Sequence, residues 1–202
     1  MWERIIGVIM SPGETLRQTA ESELWKEGLI IILLTSVLKW LSQLAAPEQR
    51  LLGQLERLTG SSVDQFSSAL DSPIAAFFSS LSGDLISWVL GGLLFFLFAK
   101  LFKGQGTIPG MLAGLGYAST PFFLGAPLMA VTSGGIAGYL LSSAIGFATA
   151  IWVAVLQIIA IRESQQISTG GAIVTFIIPG ILLLLVLVFF ILLITALILM
   201  AA

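Results

Sequence analysis

Five long apolar stretches constrain this chain more than any other feature. They run over about 28–46, 73–102, 109–132, 135–161 and 172–200. Each reaches or approaches the roughly 20 residues a helix needs to cross about 30 Å of hydrocarbon. Of its 202 residues 57% are hydrophobic and only 10% charged, against roughly a quarter charged in a soluble domain. A soluble fold of this size could not cover itself with so few charges. The expected fold class is all-α: a polytopic transmembrane helical bundle of about five spans with a short amphipathic N-terminal segment.

Lysine and arginine set the expected orientation. Arg4, Arg17 and Lys26 precede the first span, Lys100 and Lys103 separate the second from the third, and Arg162 separates the fourth from the fifth. The other face carries only Arg50 and Arg57. The bias predicts a cytoplasmic N-terminus and an outside C-terminus, in the plasma (inner) membrane if the source is prokaryotic. The first apolar run starts late and its leader mixes acids with bases, so a cleaved signal peptide is not expected.

The organisation expected is a leader over 1–27 and a membrane domain over 28–202. In the leader, Trp2, Ile5, Ile6 and Ile9 recur at helical spacing. Ser11-Pro12-Gly13-Glu14 then reads as a helix start, with Ser11 capping, Pro12 at the first position and Glu14 reaching back. Leu16, Ala20 and Leu24 continue the pattern. Two short helices are predicted, lying on the membrane face or covering the span ends. Residues 47–72 read as an extracytoplasmic amphipathic helix, with Leu51, Leu52, Leu55 and Leu58 as its stripe, followed by a linker.

Small residues mark the packing. Gly134, Gly138, Ser142, Gly146, Ala150 and Ala154 follow at four-residue steps in the fourth span, and Gly110, Gly114 and Ala118 in the third. Such lines let helices approach closely. The two helices are expected to pack on each other, a reading preferred over a homodimer seam. The last span is apolar on every side and suits the bundle's lipid-facing edge. Pro121, Pro127 and Pro179 interrupt helical stretches; ordinary use in membrane helices is preferred over a binding role.

Two charges fall in apolar surroundings, Lys39 in the first span and Asp84 in the second. They could form an intramembrane ion pair or line a polar cavity. The preferred reading is that Lys39 snorkels to the interface beside Trp40 and Asp84 sits among headgroups.

The chain has no histidine and no cysteine. Histidine-dependent serine catalysis, H-E-x-x-H zinc chemistry and thiol chemistry are therefore unavailable. An intramembrane aspartyl pair needs a second acid at depth. No catalytic residue, cofactor or metal site is expected, and no basic stripe suits nucleic acid.

Several motifs in order carry a resemblance. They are Trp2-Glu3-Arg4, Ser11-Pro12-Gly13-Glu14-Thr15, Gly104-Gln105-Gly106, Gly116-Tyr117-Ala118-Ser119-Thr120-Pro121, Ile151-Trp152 and Ser168 to Ala172. With five spans, the chain resembles the Yip (Ypt/Rab-interacting protein) family, in a short prokaryotic-type form. The resemblance implies a membrane-organising or adaptor role through partners: the lipid bilayer, with another membrane protein or self-association as the further candidates. Eukaryotic members bind Rab GTPases and carry an acidic, tyrosine-containing motif before the first span. Residues 1–27 have none, which makes Rab GTPase binding doubtful here. The alternative function is a small transporter or channel using kinked spans and a Lys39/Asp84 polar site.

Overall fold

The computed structural model describes residues 1–45, 73–132 and 135–201. The amphipathic helix expected within 47–72, and Gly134, lie outside these residues. The helices are α1 (Trp2–Met10), α2 (Pro12–Glu21), α3 (Trp25–Ala45) and α4 (Pro73–Ala99), the last running into a 3-10 turn at Lys100–Phe102. They are followed by α5 (Ile108–Ala118), α6 (Phe122–Val131), α7 (Gly135–Gln165) and α8 (Thr169–Ala201). No strand occurs among the described residues. The chain is an all-α bundle, and α3, α4, α7 and α8 are each long and apolar enough to cross a membrane.

The third apolar stretch departs from expectation. Instead of one helix over 109–132 it forms α5 and α6 in series. Pro121 has no N–H to give the Tyr117 carbonyl. That carbonyl takes Thr120 N at 3.1 Å instead, while Ser119 N closes on the Gly116 carbonyl at 3.2 Å. The chain tightens for one turn, and helix resumes with Gly125 N on the Pro121 carbonyl at 2.9 Å. Pro127 and Pro179, by contrast, lie inside continuous helices. Both α5 and α6 pack along α3 on one side and α7 on another. Together they run the length of a crossing.

Close approaches fix the register. A Cβ placed on Gly114 would lie 3.2 Å from Ala160 Cβ, and one on Gly146 3.1 Å from Met129 Sδ. The α5–α6 pair therefore lies antiparallel to α7 along its whole length. On its other side Gly116 crosses Gly28 of α3 backbone to backbone, and a Cβ on Gly110 would come within 2.8 Å of the Ala20 carbonyl.

Ends are closed without glycine. Glu23, Lys103 and Gln166 have positive φ, and each follows a helix (α2, α4 and α7). Leu24 N, Gly104 N and Ile167 N then reach back to carbonyls of Thr19, Ala99 and Arg162, the usual left-handed helix stop. All three stops fall at the end of the bundle where the leader sits.

The leader is part of the core at that end. Ile5, Val8 and Leu16 are buried with Ile31, Tyr117, Leu156 and Ala160. α2 lies across the ends of α5 and α7. The face of α1 carrying Trp2, Ile6, Ile9 and Met10 stays exposed; of the expected apolar stripe only Ile5 turns inward. Ser11 makes no side-chain cap, and Glu14 accepts from Gln18 Nε2 at 3.3 Å rather than reaching back. Pro12 does stand at the helix start.

Candidate functional site

The break between α5 and α6 faces a pocket that holds two charged side chains. α3 turns Thr35, Ser36 and Lys39 to one side, a helical spacing that stacks them over about one turn. From α4, Asp84, Ser87, Trp88 and Gly91 share the facing side at similar spacing. Thr35 donates to its own turn at the Ile31 carbonyl, 2.9 Å away. Ser36 Oγ lies 2.6 Å from Asp84 Oδ2. Lys39 Nζ lies 2.6 Å from Asp84 Oδ1, with the two side chains 23% and 26% exposed. The structure thus brings the two charges together, with Lys39 Nζ 4.9 Å from the centroid of the Phe122 ring. Trp40 is engaged separately, donating to the Pro73 carbonyl at 2.9 Å and packing its ring on Phe77.

Around this pair is a cavity of about 270 Å³, closed by Ser119 and Phe122 at the break and by Val153 and Gln157 of α7. A second cavity, of about 300 Å³, also touches Lys39 and is lined by Ser42, Gln43, Ser142 and Ser143. Lys39 therefore serves both spaces. An ammonium has three protons to donate, and Asp84 uses one.

A second polar cluster lies at the leader end. Glu27, in the first turn of α3, accepts Arg4 NH1 at 2.9 Å on each of its oxygens. Tyr117 OH donates to the same carboxylate through a short hydrogen bond. Hydrogen bonding to Tyr117, and then to Glu27, raises the Arg4 guanidinium above its ordinary value; its charge is fixed across the working range. Tyr117 is fully buried. The cluster ties α1, α3 and α5 at one point.

The family model described as the Yip1 domain matches residues 6–200, nearly the whole chain. The chain belongs to the Yip1 domain family. Comparisons with curated proteins and with solved structures each find no match. In this Yip1 domain the motif from Gly116 to Pro121 joins the two polar regions. Gly116 makes the close crossing with α3, Tyr117 enters the Glu27 cluster, Ala118 is buried, Ser119 lines the cavity and Pro121 opens α6. The Gly104-Gln105-Gly106 turn folds onto the end of α7, with Gln105 N on the Gln165 carbonyl at 2.9 Å. Lys100 Nζ holds the Gly104 carbonyl at 2.9 Å.

The small-residue line of α7 is distributed differently from the sequence reading. Gly146 packs on α6 and Ser142 lines the second cavity, but Ala150 is exposed and Gly138 and Ala154 are half-buried. The buried side of α7 runs through Thr149, Val153, Leu156, Ala160 and Ser164. A four-residue step overshoots a helical turn by about 40°, so a line of such steps winds off any straight partner. In α5 the residues of the shorter line, Gly110, Gly114 and Ala118, are all buried. Sequence reasoning missed Gln157, a lone amide inside the apolar run of α7, and the Arg4–Glu27–Tyr117 cluster, whose members are too far apart in sequence to suggest one another.

Proposed function

We propose that this Yip1-domain protein is a non-enzymatic adaptor that presents its leader at the cytoplasmic face of a membrane to a membrane-bound protein partner. The observation carrying this reading is the Arg4–Glu27–Tyr117 cluster, which anchors α1 to the spans while Trp2, Ile6, Ile9 and Met10 stay exposed. An exposed apolar face beside a membrane suits insertion among headgroups or contact with another membrane helix. A photo-reactive amino acid at Ile6 tests it in intact membranes. The expected outcome is a discrete protein adduct that weakens when Glu27→Gln releases α1; adducts to lipid alone would overturn the reading.

A second reading, a small transporter, is favoured by one feature: two cavities meet at the charged Lys39 beside a broken helix, an arrangement transporters use at mid-membrane. Liposomes reconstituted with purified protein test it. Solute flux abolished by Asp84→Asn supports passage of a water-soluble substrate, and flux equal to that of empty liposomes removes it.

A further inference from the structure

The cavity around Lys39 and Asp84 has an unusual wall. α8 runs antiparallel to α4, with Gly171 against Phe102 and the Phe176 ring 5.7 Å from that of Phe95. Continued, that register brings Gly180 to the level of Gly91. At that level a Cβ on either glycine would meet nothing within 4 Å, Gly91 facing the cavity. Beyond it, every side chain from Ile181 to Ile194 is at least 42% exposed. Over its first half α8 packs on both α4 and α7. Over the second half it has left them, and the wall of α4 it leaves uncovered carries Ser87 and Gly91, two of the cavity's lining residues, with Gln157 of α7 lining the same cavity about a turn nearer the packed half of α8. The cavity therefore opens sideways, toward hydrocarbon.

A lysine–aspartate pair in a cavity open to hydrocarbon is costly unless polar groups complete its hydrogen bonds. Gln157 makes no hydrogen bond to another described residue. Lys39 keeps two protons beyond the one directed at Asp84. A soluble ligand would need an aqueous approach, whereas this mouth faces acyl chains. The chemistry that fits is amphiphilic, with a head carrying both charges and tails that remain outside.

We infer that the cavity holds the head of a phospholipid bearing a primary ammonium, entering from the bilayer between α4 and α7. Its phosphate takes the free protons of Lys39 and the amide of Gln157. Its ammonium donates to Asp84, beside Ser36. The tails lie against the exposed flank of α8. This site shares its cavity with the solute-passage reading but not its ligand, and lipid retention without flux separates the two.

The test is native mass spectrometry of the purified, delipidated full chain titrated with short-chain phosphatidylethanolamine. Diacylglycerol, which lacks the head, and free phosphoethanolamine, which lacks the tails, form the other arms. The expected result is one phosphatidylethanolamine per chain, bound about tenfold or more above either, as charge-assisted hydrogen bonds allow. Lys39→Met should lower retention to the diacylglycerol level. Gly91→Leu blocks the mouth where there is room for a side chain; it should cost the same retention without lowering the melting temperature, so the test survives a Lys39 variant that fails to fold. Equal binding of diacylglycerol overturns the site, as does wild-type retention in both variants. Tight binding of free phosphoethanolamine overturns the sideways route.

Discussion

The two ends of the bundle are built on opposite principles. At the leader end helices meet closely: Gly116 on the backbone of Gly28, Gly110 on the Ala20 carbonyl, Gly114 on the Ala160 methyl. Both buried clusters lie toward that end, drawing in α1, α2 and the turn after α7. Toward the other end α6 still packs closely on α7, with Gly125 against Thr149, but two cavities open beside Lys39 and α8 leaves the bundle. Lipid tails are as apolar as leucine, so close van der Waals contact, not burial from water, separates a firm contact from a loose one. The leader end is therefore held by close contact, whereas α3 and α4 at the other end meet chiefly through Ser36, Lys39 and Trp40 hydrogen bonding to Asp84 and Pro73.

That contrast can be broken most directly at its tightest point. Gly116→Val pushes methyl groups into the backbone of Gly28 and should cost about 3 kcal/mol, the upper range for overpacking; loss of the monodisperse peak in detergent chromatography is the readout. Separating Lys39 from Asp84 should cost less. Lys39→Met or Asp84→Asn alone is expected to destabilise by about 2 kcal/mol, below the range for fully buried pairs because both side chains are partly exposed. Exchanging the two charges should recover most of that in a thermal-melt cycle. Tyr117→Phe removes one donor from Glu27, which keeps Arg4, and should cost about 1–2 kcal/mol by the same melt. At the loose end the sign reverses. Gly83, where a Cβ meets nothing, should accept alanine with a gain of about 0.5–1 kcal/mol, visible as a small rise in melting temperature.

Much of the architecture was legible because hydrocarbon leaves few options. Long apolar runs had to be helices, and four of them are continuous. The break in the third was harder to read. Pro121, Pro127 and Pro179 look alike in sequence, yet only Pro121 separates helices, because Ser119 and Thr120 close tight turns onto Gly116 and Tyr117 ahead of it. The rotational phase of each helix was not legible. Lys39 and Asp84 are visible as charges in apolar runs, but whether they face each other depends on how α3 and α4 are turned. The same ignorance made the four-residue line of α7 look like one seam, when winding carries Ala150 to the outside. Glu27 meets Arg4 and Tyr117 only because α1 folds back and α5 crosses α3 at two glycines. No local pattern announces that.

The decisive contact is the meeting of α3 and α4 inside the bundle, and the chain's freedom from cysteine makes it directly measurable. Ser36→Cys and Asp84→Cys, with a protease site inserted within 46–72, place two thiols on facing positions, where Ser36 Oγ and Asp84 Oδ2 now lie 2.6 Å apart. Oxidation in native membranes followed by cleavage should leave the two fragments joined. Ser36→Cys with Ile86→Cys, whose side chain points outward at 57% exposure, should let them separate. Fragments that part in the first pair, or stay joined equally in the second, would contradict the arrangement from which the cavity and its ligand follow.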